Sequence, residues 1–356
     1  MTRRLENSIP LFFTRPISLR ASCLARALYC APLWAACLIG GMAASANAQT
    51  TSSNGTPVVV QMGVTGFTAT DWPDMVAIQK GFISRRGIDL QVISSQRAPV
   101  NIQALIGGSL NFVASGVDSV ILPVENGADL VAVAGIENLV VMRLVVGPGI
   151  KSIKDLQGKT LAISRTNGPD VAILRELMDS AGIKVDPGLF ITAGGTATRL
   201  AAVISGGTSA TMLVPPDGLH ADKQGLTDLG LSIGRTSPRQ FVVWITNRSW
   251  ARKNADTVVN MLRGLADALH WLNDPANREE AIQILMSFTK IDKELAEHAY
   301  DVLVTETHSY SNEGEFNTAG IQTVLEDLVN SGVIKGSIPP VSKYIDTSFL
   351  DRALKQ

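Results

Sequence analysis

The chain alternates twice between short apolar stretches, too brief for helices, and longer segments of helical periodicity. No other feature constrains its fold as much. The first series predicts strands at 58–63, 89–94, 110–114, 130–134 and 143–146. Helices are expected between them at 75–86, 100–106 and 117–126, with Gly87, Gly107-Gly108 and Gly127 as stops. Such an order calls for a parallel sheet covered by helices. Pro148-Gly149 breaks the pattern, and a shorter series follows. Its strands are expected at 160–163, 190–192, 210–214 and 229–233, its helices at 169–181, 197–205 and 217–224. Segment 241–246 reads as one more strand, after which the pattern is helical. Val258, Leu262, Leu265, Leu269 and Leu272 form an apolar stripe, Asp274-Pro275 opens the next helix, and 292–305 and 318–330 are two more. A tail that begins with a strand implies a return to the first sheet. The expected architecture is therefore α/β with two lobes, two crossings and a hinged central cleft. Residues 58–148 would form the first part of lobe 1, 149–238 lobe 2, and 239–356 the return to lobe 1 with the C-terminal helices.

The segment before the first strand is built differently. Residues 1–48 carry five arginines and one acid, then an apolar run from Ala27 to Ala44, then Ala46-Asn47-Ala48. Arginines, an apolar run and a small-x-small site in that order describe a cleaved secretory signal peptide. A membrane anchor is the alternative, but Pro32, two glycines and the cleavage site count against it. Residues 49–57 read as a flexible leader. Without 1–48, the 31 basic and 32 acidic residues become 26 and 31, a mildly acidic −5, and Cys23, Cys30 and Cys37 are all lost. A cysteine-free mature chain cannot use disulfides, thiolate metal ligands or a cysteine nucleophile. The absence of net basicity gives nucleic-acid binding no support.

Catalytic signatures are sparse. His220, His270, His298 and His308 have no metal-ligand spacing, and there is neither a G-x-S-x-G elbow nor a glycine-rich phosphate loop. No cofactor or metal and no enzymatic activity are expected. Strand-to-helix turns rich in glycine and hydroxyl residues are prominent instead, and ligands of open parallel sheets sit beyond the strands' carboxyl ends. Four turns stand out. They contain Phe67, Thr68, Thr70 and Trp72; Ser115 and Gly116; Arg165, Thr166, Asn167 and Gly168; and Gly194, Gly195 and Thr196. Helix-start N–H groups and hydroxyls bind anions without a charged side chain. Arg143 and Arg165 are candidate clamps for such an anion. Phe67 and Trp72 are candidates for an apolar wall. Helix capping alone also explains Asp118, Gly168 and Thr196, and Asp170 in a first helical turn would compete with an anion.

The stretch ALIGGSLNFVASGVDSVILPVENGADLVAVAG, followed by IKSIKDLQGKTLAIS, resembles the periplasmic solute-binding components of ABC importers. The resemblance is to the type that takes alkanesulfonates, taurine, nitrate or thiamine pyrimidine precursors. Asp155-Leu156-x-Gly158-Lys159 is its most specific piece, while Ser109 and Asn111 depart from the family's pattern and mark a divergent member. The resemblance implies a type II, periplasmic-binding-protein-like fold that closes on a small solute and passes it to the transmembrane subunits of a permease. It places the four turns at the cleft. Expected partners are a small-molecule solute and the permease, with no nucleic acid and a monomeric receptor. A small organic anion is the first expectation for the solute. An uncharged heteroaromatic compound, an enzyme on the same fold and a sensor for a membrane receptor are the alternatives.

Overall fold

Ten strands make two five-stranded sheets in the computed structural model, which describes residues 56–355 apart from 96 and 220. The expected signal peptide, most of the leader and all three cysteines lie outside the described residues. The strands are β1 Val58–Val64, β2 Ile88–Ser94, β3 Phe112–Gly116, β4 Leu130–Gly135, β5 Arg143–Val146, β6 Leu161–Ile163, β7 Phe190–Thr192, β8 Ala210–Leu213, β9 Thr227–Leu231 and β10 Val242–Asn247. The first sheet has the order β2-β1-β3-β10-β4 and the second β7-β6-β8-β5-β9.

The sheets are mixed, where the sequence predicts parallel ones. β10 runs antiparallel between β3 and β4, and β5 runs antiparallel between β8 and β9. These are the strands that follow each crossing, and they enter their sheets from the opposite end. Segment 143–146, placed in the first series by sequence, accordingly belongs to the second sheet. Its short apolar run satisfies either core, so hydrophobicity alone does not assign it. The outward crossing covers residues 136–142 and the return 232–241. They run side by side, with the Ser232 amide donating to the Met142 carbonyl (2.7 Å) and the Phe241 amide to the Glu137 carbonyl (2.9 Å).

The helices are α1 Trp72–Gln79, α2 Ala98–Ile106, α3 Asp118–Glu125, α4 Pro169–Ser180, α5 Thr196–Ile204, α6 Arg248–Lys253, α7 Ala255–Asn273, α8 Arg278–Thr289, α9 Lys293–Tyr300, α10 Thr318–Asn330 and α11 Ser348–Leu354. The helix expected over 75–86 stops early because Gly81 takes a left-handed φ of +69°. The helix expected over 217–224 shrinks to a 3-10 turn, Asp222–Gln224. Gly218, at φ +85°, packs so tightly that a Cβ there would lie 2.8 Å from Val145 Cγ2.

β10 shows how the first lobe is held. Val242 and Trp244 face one core with Met62, Trp72, Phe112 and the α7 stripe. Val243 and Ile245 face the other, with Val113, Val120, Ile321 and Tyr344. This period of two, with both faces covered, is the mark of a central strand. In the second lobe, Leu144, Leu161, Leu174 and Met212 belong to a smaller core. No helix among the described residues is long and apolar enough to cross a membrane.

Candidate functional site

A cavity of about 540 Å³ lies between the two sheets, at the carboxyl ends of β1, β3, β6 and β7. The first lobe contributes the turn after β1, the start of α2, and Ser115-Gly116. The second contributes Ser164-Arg165 and the turn from Thr192 to Thr196. Met142 and Phe241, at the ends of the two crossings, complete the lining. Thr68, Thr70, Ser115, Gly116, Arg165, Gly194, Gly195 and Thr196, all expected from sequence, line it.

The remaining sequence candidates sit elsewhere. Trp72 is completely buried, its Nε1 donating to the Ala281 carbonyl (3.0 Å) and its ring edge-on to Tyr300. It is a core residue because a first-turn position of α1 faces α8. Phe67 is exposed and does not line the cavity. Arg143 pairs with Asp228 across β5 and β9 and reaches His298 Nε2 at 3.3 Å, so β5's place in the second sheet takes it away from the cleft. Burial, then Arg143, holds the His298 pKa below its usual value. Thr166, Asn167 and Gly168 face a neighbouring cavity of about 520 Å³.

The cavity's charge is one-sided. Arg97, Arg165 and Arg199 line it, and among the described residues no carboxylate does. Arg165 reaches across the lobes to Asp118 at the start of α3, with Nε 3.0 Å and Nη2 2.5 Å from Oδ2. Burial lowers the Arg165 pKa, but the charge and hydrogen bonds of Asp118 outweigh it and the net shift is upward. Arg97, on the exposed rim, has no ion-pair partner among the described residues. Arg199 is 4% exposed. It donates to the Gly194 and Met212 carbonyls, and its Nε has no partner among the described residues. Burial lowers its pKa, with Asp170 and Asp217 opposing.

The two helix starts in the second lobe differ in the same respect. At α4, the buried Asp170 takes the Ser164 amide and hydroxyl, both at 2.6 Å, and so occupies the anion position itself. At α5, the N-cap is Gly195 and no side chain caps it, so the helix start is open to an anion. Arg199 falls one turn into this helix. Sequence analysis missed it, although a lone charge among small and apolar residues (TATRLAAVI) is a signal that it must be buried with a purpose. Opposite, Thr68 and Asp71 form a capping box, with the Thr68 amide donating to Asp71 Oδ2 (3.0 Å) and the Thr68 and Thr70 hydroxyls 2.8 Å apart. Asp71, Asp74 and Glu137 are buried behind this turn. No cluster of potential ligands fit for a metal ion occurs among the described residues.

Comparison with known proteins places this geometry. A Brucella abortus (strain 2308) protein, named for a binding role without a ligand, is 24% identical over 298 residues, covering 80% of this chain and 90% of its own. The ligand-binding component of an ABC-type import system from Staphylococcus aureus superposes with TM-score 0.70 at 14% identity, over 84% of this chain and 100% of its own. The nitrate-binding protein NrtA from Synechocystis PCC 6803 gives 0.68 at 14% identity, over 83% and 88%. The alkanesulfonate-binding protein SsuA from Xanthomonas axonopodis pv. citri, bound to MOPS, gives 0.66 at 15% identity, over 82% and 99%. The desulfurization enzyme DszB shares the architecture too, with 0.58 at 13% identity, over 83% and 99%. The fold is that of the periplasmic binding proteins, two-lobed and mixed α/β, as the sequence resemblance implied. The NMT1/THI5-like family model matches residues 71–278, more than half of the chain, and the chain belongs to that family.

Proposed function

We propose that this chain is the periplasmic solute-binding component of an ABC importer, capturing a small organic anion between its lobes and delivering it to a membrane permease. The observation that carries this reading is the lining of the interlobe cavity, with three arginines, no carboxylate and the uncapped start of α5. Hydroxyls of Thr68, Thr70, Ser115 and Thr196 surround the same space. The anions named for NrtA and SsuA support the same class: a sulfonate, nitrate or carboxylate group. The heteroaromatic alternative rested on Phe67 and Trp72, neither of which faces the cavity.

The mechanism is a shift between open and closed states. An anion that contacts both lobes binds the closed state better, and that difference in affinity is what closes the cleft. The permease would read out closure. Calorimetric titration of the mature chain with alkanesulfonates, nitrate and alkyl carboxylates tests this. One-to-one binding of at least one anion class is expected, with uncharged isosteres silent. Arg97→Ala should weaken that binding about tenfold, and should leave Tm unchanged because Arg97 is exposed and has no ion-pair partner among the described residues. Equal binding of charged and uncharged isosteres would sink the reading.

A further inference from the structure

Three carboxyl groups are buried together behind the turn that follows β1 and lines the interlobe cavity. Asp71 closes that turn, Asp74 lies in the first turn of α1, and Glu137 lies in the outward crossing; they are 3%, 0% and 2% exposed. The charge of Asp74 acts on Asp71, and that of Asp71 on Glu137. Tyr310, also buried, completes the group and feels all three. From β10, Trp244 Nε1 donates to Asp74 Oδ1 (2.9 Å). Among the described residues, no lysine, arginine or histidine makes an ion pair or hydrogen bond with any of the four. Asp74 Oδ2 and Glu137 Oε2 are buried without a hydrogen-bond partner among the described residues. Three carboxylates cannot share such a site as ions, so burial and mutual repulsion keep protons on it.

Each carboxyl belongs to a different working part. Asp71 Oδ2 accepts the Thr68 amide (3.0 Å), and Thr68 and Thr70 line the cavity. The Glu137 backbone holds the two crossings together. Its carbonyl accepts the Phe241 amide and the Gln240 side-chain amide, both at 2.9 Å, and its amide donates to the Val242 carbonyl (3.2 Å). Tyr310 joins the two parts. Its backbone bridges to Glu137, and its hydroxyl donates to the Ala69 carbonyl (2.7 Å) in the cavity-lining turn. Asp74 is the anchored member, tied to the central strand through Trp244. Negative charge added to the cluster therefore acts on the turn and on the crossings at once.

We propose that this cluster is a proton-operated latch: while it holds its protons the turn and the crossings keep their solute-ready arrangement, and losing them releases both. Its effect on solute rests on the interlobe cavity as the solute site, whereas the latch itself does not. The sign follows from burial, which raises Asp74 from 3.8 to about 7 and Glu137 from 4.5 to about 8, with Trp244 opposing at Asp74 and Asp71 adding at Glu137. A loosened cluster regains water and its ordinary values, so the compact arrangement binds protons that the loosened one releases. Its advantage is complete below the ordinary values and is lost as pH rises through about 7 and then about 8. By linkage, solute that favours the compact arrangement draws protons onto the cluster.

The latch is tested without solute, by tryptophan emission and small-angle X-ray scattering of the mature chain from about pH 6 to about pH 9.5. A reversible transition centred at about 8 is expected, with Trp244 reporting through its bond to Asp74. Glu137→Gln keeps the shape without the charge and should abolish the transition. Asp74→Asn retains the Oδ1 acceptor for Trp244 and should shrink it, which decides the matter where Glu137→Gln does not fold. A transition missing from the parent, or unchanged in the variants, would overturn the proposal. Calorimetry with alkanesulfonates, nitrate and alkyl carboxylates then reads the consequence. Each anion that binds at about pH 7 should lose up to about tenfold in affinity per pH unit above about 8, and Glu137→Gln should prevent the loss. Affinity that stays flat across the transition would separate the latch from the cleft and also overturn the proposal. A transition with every anion silent would leave the latch standing and overturn the anion reading.

Discussion

Gly168 and Gly195 occupy matching places, each the N-cap of a helix in the second lobe, for different reasons. A Cβ at Gly168 would collide with Asp170 Oδ1 and Ser164 Oγ, the two groups that close the α4 turn, whereas a Cβ at Gly195 meets nothing within 4 Å. Gly168→Ala should therefore lower stability by about 1–3 kcal/mol, and Gly195→Ala should leave Tm in place while weakening ligand binding. Thermal unfolding with calorimetry separates the two. The buried acids behind the cleft make a second prediction. Burial raises Asp74 to about 7, the Trp244 bond opposing, and raises Glu137 to about 8 with help from Asp71. Their ordinary values are 3.8 and 4.5, so the folded chain holds protons that the unfolded chain has released. Their contribution is complete below the unfolded values and is lost as pH climbs through about 7 and 8. Tm should fall across that window, and Glu137→Gln should flatten the fall; an unchanged slope would show that Glu137 does not titrate there. At this scale the sequence was only half legible. Glycines and hydroxyls in turns were visible because turn chemistry is local. Trp72, expected at the cleft, is core, and Arg199, for which nothing was expected, lines the cavity, because burial depends on which face of a helix meets the sheet.

At the scale of elements, helix propensity and packing disagree at Gly264 in α7. Alanine is the better helix former by about 1 kcal/mol. Yet a Cβ there would lie 2.5 Å from Ile83 Cγ1 and 3.2 Å from the Phe82 carbonyl. Gly264→Ala should destabilise by about 1–3 kcal/mol despite the propensity gain, measured by denaturant unfolding. A stabilised variant would show that Ile83 can yield. The α7 stripe itself was readable because its five leucine and valine positions are all fully buried. So were the helix boundaries at α2, α4, α5 and α10, each within two residues. β5 was misplaced for a physical reason. A short Arg-Leu-Val-Val run fits either apolar core, and only the long-range pairing with β8 and β9 decides between them.

For the whole molecule, the relation between lobes rests on a few charged contacts. Asp118–Arg165 spans 47 positions and Arg239 ties α4 of one lobe to α10 of the other. Asp118→Asn should weaken the closed state, so the ligand-free variant should scatter X-rays with a larger radius of gyration than the parent, and bound solute should reduce the difference. Identical scattering would show that this pair does not hold the lobes. The two-lobed plan was legible because a strand heads the helical tail. The charged contact between the lobes was not, since neither Asp118 nor Arg165 has a local partner to announce it. The place of β10 has one more consequence. It inserts between β3 and β4 although it is the last of the ten strands to emerge. A nascent chain interrupted before residue 242 holds every other strand of the first sheet yet cannot join its two parts. The lobe that begins first must finish last, and until then its unpaired edges offer binding sites to chaperones.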